Sequence, residues 1–192
     1  MNDYIIKKLS ELKLEIETCN KCNLCNTRKN IVFGEGNPET GLMFVGEGPG
    51  EVEDETGRPF VGRSGQLLDK MLEAIDLHRE KDFYIANIVK CRPPRNRDPE
   101  FEEQELCINY LYKQIKIIKP KIIIALGRIA AQRLIGEDFK VTVQHGDWFN
   151  KNNIEIMGVY HPSMLLRFPN KKEETFKDFL KLRDRLKQIN FY

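Results

Sequence analysis

Apolar residues near the N-terminus recur every three or four positions. Ile5, Ile6, Leu9, Leu12 and Ile16 share one helical face, which predicts a helix over Asp3–Thr18. Charged residues interleave them, so the segment is not the apolar core of a secretion signal. Further on the period changes. Leu42–Val45, Phe83–Val89, Lys121–Leu126 and Ile154–Tyr160 are short, nearly continuous apolar runs, each read as a strand. Between and after them the pattern predicts helices at Ser64–Leu77 (Ser64 as N-cap), Glu100–Lys119, Gly127–Leu134 and Glu173–Gln188. Strands alternating with helices predict a three-layer α/β/α sandwich around a central, mostly parallel four-stranded sheet. No repeat, low-complexity tract or linker interrupts the pattern, and 192 residues suffice for one core. Residues 1–192 are therefore expected to form a single domain.

The four strands end at Val45, Val89, Leu126 and Tyr160, and the segments that follow are GEGPG, KCRPPRNR, GRIA and HPSMLLR. In an open parallel sheet the ligand crevice lies beyond the C-terminal strand ends. The residues with the most chemistry thus fall where a site is expected.

Composition narrows the function classes. With 41% apolar and 31% charged residues the chain is an ordinary globular protein, and no apolar run approaches membrane-spanning length. Net charge is only +2, so any affinity for nucleic acid must come from how charges are grouped. Cysteine adds a further constraint. Five cysteines and no export signal argue against a disulfide framework and for a reducing cytoplasm. Cys19-x-x-Cys22 pairs with the distant Cys91 and Cys107, and four thiolates suit either tetrahedral zinc or an iron–sulfur cluster. Cys25 reads as a spare thiol.

Other residues suggest a nucleic-acid ligand. The glycines of Gly46–Gly50 let backbone N–H groups approach a ligand, and Glu47 among them can hold a water or face a developing cation. Phe60 lies between Arg58 and Arg63, as in a stacking platform beside phosphate contacts. Asn87 interrupts an apolar strand with an amide able to read a base edge. Lys90–Arg97, with Arg92 and Arg95, reads as a basic patch stiffened by prolines. In the last segment His161 opens a proline turn leading to Leu165, a candidate wedge between bases, and Arg167. His78 and His145 have no comparable context.

Together, CNKC, VGEGPGEVEDETGRPFVGRSGQLL, ANIVKCRPPRNR, Cys107, IIIALG and HPSMLLR resemble the family-four, iron–sulfur uracil-DNA glycosylases, from Cys19 to about Lys177. The resemblance implies a uracil-DNA glycosylase-like fold and a [4Fe–4S] cluster on Cys19, Cys22, Cys91 and Cys107. It implies hydrolysis of the glycosidic bond of uracil in single- or double-stranded DNA, by a monomer of the cytoplasm and nucleoid with no membrane role. A partner such as a sliding clamp leaves no mark in the sequence. The implied substrate pocket contains Gly46, Glu47, Gly48, Glu53, Phe60, Asn87 and His161. Phe60 stacks on the flipped base, Asn87 reads its edge, and Glu53 crowds the position of the thymine methyl group. His161 donates to a uracil oxygen, Glu47 faces the sugar cation or positions water, and Leu165 fills the vacated stack. Gly48 stands where the wider superfamily often has a catalytic carboxylate. Arg58, Arg63, Arg92, Arg95 and Arg167 are the expected DNA contacts.

Overall fold

The computed structural model describes residues 3–191. Its strands are β1 (Glu35–Gly36), β2 (Leu42–Gly46), β3 (Tyr84–Asn87), β4 (Ile122–Leu126), β5 (Trp148–Lys151) and β6 (Ile154–Val159). They form one sheet in the order β1-β3-β2-β4-β6-β5, in which β3, β2, β4 and β6 are parallel and both edge strands antiparallel. The parallel centre is the four strands read from the sequence; the six-stranded count corrects the expected four. The edges escaped the pattern for physical reasons. β1 is two residues long. β5 is a half-exposed Trp-Phe-Asn-Lys segment, joined to β6 by Asn152 and Asn153, both with positive φ, as in a tight hairpin.

The helices are α1 (Asp3–Glu17), α2 (Glu51–Thr56), α3 (Arg63–Glu73), α4 (Arg79–Asp82), α5 (Phe101–Ile118), α6 (Arg128–Leu134), α7 (Val141–Gln144), α8 (Pro162–Arg167) and α9 (Lys172–Gln188). Side chains of the central strands alternate between two apolar layers. Met43, Val45, Ile123 and Ala125 pack with α1, α5 and α6. Leu42, Phe44, Ile122 and Ile124 pack with α3, α8 and α9. β2 lies between β3 and β4, so the chain winds away from it in both directions, and the strand ends beside it form the switch point of a doubly wound sheet.

Two local expectations are corrected. Ser64 does not cap α3; the N-cap is Gly62, whose N–H donates to the Glu53 carboxylate at 2.7 Å. A carboxylate from a neighbouring helix thus satisfies one of the free N–H groups at the start of α3. Leu165 is also not available as a wedge. Pro162 at the first turn of α8 starts a helix, and one turn later Leu165 returns to the core with 0% exposure. Its neighbour Leu166 faces outward at 36%.

Leu165→Ala is expected to lower unfolding stability by roughly 2–5 kcal/mol through lost burial and a residual cavity. Chemical denaturation checks this; a change within about 0.5 kcal/mol, as for a surface site, would place the side chain outside the core.

Candidate active site at the strand tips

The backbone stops pairing where the tips of β2, β3, β4 and β6 reach the same level, leaving a cavity of about 470 Å³. Its lining includes Glu47, Gly48, Glu53, Phe60, Asn87, Arg128 and His161. Gly46 lies beneath it. A Cβ there would overlap Phe60 Cζ and Asn87 Oδ1, so only glycine lets the ring and the amide meet over the β2 tip.

The ring is held by a clamp at each end of its loop. Arg79 donates to the carbonyls of Pro59 and Phe60, both at 2.7 Å. The Glu53 carboxylate accepts from the N–H groups of Val61 and Gly62 at 2.9 and 2.7 Å. Between these contacts Phe60 has φ 54°, a conformation costing a side-chain-bearing residue about 1–3 kcal/mol, which persists only where the surroundings over-determine it. Its ring centre lies 5.8 Å from that of His161.

Asn87 is buried, and its Oδ1 has no hydrogen-bond partner. The residue lines the cavity, and a buried oxygen left without a partner calls for a donor. The backbone N–H of Ser163 donates to His161 Nδ1 at 3.1 Å, and Ser163 Oγ lies 2.7 Å from the same nitrogen. The neutral imidazole therefore carries its proton on Nε2, as a donor. Burial, and secondarily the Arg167 charge, push the His161 pKa down to about 4, so the ring is neutral at ordinary pH. Glu47 behaves oppositely. Burial, and then the Asp98 carboxylate, raise its pKa to about 7 against the pull of Arg128.

The basic residues are less convergent than the sequence suggested. Arg167 lines the cavity, while Arg63 and Arg95 are exposed outside its lining. Arg92 bonds Asn96 and Glu51 at 2.8 and 3.3 Å. Arg58 faces the sheet edge, where its guanidinium is forked onto Glu35 at 2.8 and 3.1 Å; this corrects its placement beside the Phe60 platform. Lys90 is not surface at all, being 0% exposed. Arg128, Asp98 and Ser163 entered the site without being singled out in the sequence. Arg128 had a signal, standing directly after the β4 tip in GRIA. The Arg128–Asp98 pair at 2.6 Å joins residues 30 apart, which no local pattern reveals.

On the α1–α5 side, Cys19, Cys22, Cys91 and Cys107 line one small cavity with Cys25 and Arg28. Donors already approach two of the sulfurs: Lys90 N–H to Cys107 Sγ at 3.3 Å and Arg28 Nη1 to Cys91 Sγ at 3.5 Å. Burial pushes the Cys91 thiol up to about 11 and Cys107 to about 12, so ionising them needs a positive centre among them. Among the described residues no three Cys, His, Asp or Glu groups converge as a single ion requires. Cys25 Sγ donates instead to Asn26 Oδ1 at 3.4 Å.

A doubly wound sheet with one polar crevice at its switch point, carrying an aromatic ring, an unpartnered amide and a neutral imidazole, defines an α/β protein suited to a flat polar heterocycle. Residues 33–187 match the family model described as the uracil DNA glycosylase superfamily. A type-4 uracil-DNA glycosylase of Sulfurisphaera tokodaii is 45% identical over 185 residues, covering 92% of this chain and 84% of that protein. One from Thermotoga maritima is 46% identical over 169 residues, covering 85% and 86%. A type-5 uracil-DNA glycosylase of Pyrobaculum aerophilum is 30% identical over 141 residues, 65% of this chain and 62% of that protein. The chain belongs to the uracil-DNA glycosylase superfamily and, within it, to the type-4 family.

The raised pKa of Glu47 makes a stability prediction. The folded state holds this proton between pH 4.5 and about 7 while the unfolded chain releases it, so the contribution is full below pH 4.5 and lost as pH rises through about 7. Glu47→Gln is therefore expected to gain stability relative to wild type across that window, measured by urea unfolding at several pH values. A difference independent of pH overturns the assignment.

Proposed function

We propose that this chain excises uracil from DNA by hydrolysing its N-glycosidic bond, leaving an abasic site and beginning base excision repair. Family membership supports the reaction. The observation that carries the site is that Asn87, buried and with its Oδ1 unpartnered, lines the same cavity as Phe60 and His161.

The base must leave the duplex to reach this depth, at a cost of a few kcal/mol in lost stacking and pairing. Phe60 stacks on the flipped uracil. Asn87 bonds the Watson–Crick edge, where cytosine presents the opposite order of donor and acceptor. Glu53, fixed by two backbone N–H groups, forms the wall that crowds a 5-methyl group. Leu166, exposed on the α8 turn that buries Leu165, takes the role of filling the vacated stack. Arg63, Arg92, Arg95 and Arg167 supply positive charge for the phosphates.

Bond cleavage leaves negative charge on the base and positive charge on the sugar. The Nε2–H of neutral His161 donates to the uracil oxygen as charge builds there, a stabilisation of ~3 kcal/mol on the scale of one oxyanion-hole donor. Glu47, once ionised, faces the sugar cation or orients the attacking water. Gly46 and Gly48 keep the backbone beside the base free of side chains.

Cys19, Cys22, Cys91 and Cys107 are the ligands we assign to a [4Fe–4S] cluster. The fit rests on an all-thiol donor set lining one cavity and on N–H groups directed at two of the sulfurs. When bound, the cluster supplies a cross-link among the end of α1, the loop after β3 and α5. We further read residues 1–192 as one domain, acting as a monomer in the cytoplasm and at the nucleoid.

Wild-type protein is expected to generate abasic sites in an oligonucleotide with a single uracil and not in its thymine counterpart. His161→Ala should slow cleavage about 10²–10³-fold while still binding the DNA, as expected for loss of one such donor. No product from wild type ends the functional reading, and unchanged turnover in the variant removes His161 from it. Cys107→Ser is expected to purify with little iron and to melt earlier, by iron analysis and calorimetry. Full iron content in that variant reassigns the ligand.

A further inference from the structure

Lys90 occupies a position where an ammonium group is rare. Its side chain is fully buried, packed behind the β3 tip on the side of the sheet that faces α5. Nζ donates to the main-chain carbonyl of Asn87 at 2.9 Å and to Gln114 Oε1 at 2.6 Å. Gln114 is fixed in turn: its Nε2 donates to the Phe33 carbonyl at 2.9 Å and to the Tyr84 hydroxyl at 3.3 Å. A continuous buried chain therefore runs from helix α5 through the lysine to the peptide of Asn87. A methionine would fill the same space without any polar group to satisfy, so packing does not explain the choice.

The front of the same residue explains it better. Oδ1 of Asn87 has no partner, so that oxygen takes no orientation from a contact of its own. β3 ends at this residue, and the next two N–H groups bond the carbonyls of Gly46 and Glu47 at 2.9 and 3.0 Å. A carbonyl held from behind sets the tilt of the Asn87 peptide, and with it the direction of the Cα–Cβ bond toward the cavity. The amine donates to both acceptors whether or not it is protonated.

We infer that Lys90, fixed by Gln114, is a positioning residue that aims the Asn87 amide at the base through the Asn87 main-chain carbonyl. The inference rests on the reading of Asn87 as the residue that bonds the uracil edge, and it assigns Lys90 no contact with substrate.

The test is a double-mutant cycle on kcat/KM for a single-uracil oligonucleotide, with iron content and melting temperature measured alongside. Lys90→Met combined with Gln114→Leu removes both buried polar partners together. It is expected to lower kcat/KM about tenfold while iron content stays at the wild-type level; in an Asn87→Ala background the same pair should change it less than about twofold, because contacting residues couple. Gln114→Met alone releases Nζ without altering the segment that leads to Cys91, and should show the same dependence on Asn87. If Asn87→Ala by itself leaves kcat/KM unchanged, the reading of Asn87 fails and this inference falls with it. If Asn87→Ala is impaired but either substitution acts with undiminished effect in its background, Lys90 is only structural and the inference alone is overturned. Should the paired variant fold poorly, Gln114→Met gives the same decision.

Discussion

The rest of the structure depends on the meeting of two side chains over a single residue that has none. Gly46 ends β2 at the centre of the sheet, and Phe60 and Asn87 close over it where any Cβ would intrude. That contact is possible because β3 and β4 flank β2 on either side in parallel register, so their tips reach the same level. Around it the chain holds a strained ring in place by satisfying the polar groups of the loop on both sides, carbonyls by Arg79 and N–H groups by Glu53. Preorganisation of this kind puts the ordering cost into folding rather than binding.

The electrostatics follow from the same depth. Removal from water disfavours charge on any group, so it raises the carboxyl of Glu47 and lowers the imidazole of His161. Both are thereby neutral over a shared range below about pH 7, although they differ in kind. His161 is left as a hydrogen-bond donor rather than a cation, which suits an oxygen gaining charge gradually. Glu47 keeps a proton that the arrival of positive charge would release.

Behind the sheet, the cysteine cavity and the buried polar chain from Gln114 to Asn87 lie on the same α1–α5 side. α5 supplies both Cys107 and Gln114, two turns apart on its buried face. Whatever stiffens α5 therefore also steadies the chain that reaches the β3 tip.

Much of this was legible in the linear chain. Continuous apolar runs announce strands buried on both faces, so Leu42–Val45 and Lys121–Leu126 were evident, and the crevice rule then located GEGPG and HPSMLLR at one end of the sheet. The spacing of Cys19, Cys22, Cys91 and Cys107 marked a shared thiol site in advance of any coordinates. Edge strands were not legible, because one side of β1 and β5 lacks a partner and their residues carry no alternation. Leu165 and Leu166 were indistinguishable until the helical turn begun at Pro162 gave them opposite directions. Lys90 and Arg58 read as surface charge, since composition cannot show that one is buried against Gln114 and the other is neutralised by Glu35, 23 positions away in the chain. Local periodicity is fixed by backbone geometry and therefore written in the sequence, whereas the partner of a charged or polar group is set by which distant segments the fold brings within about 3 Å, and only the tertiary structure decides that.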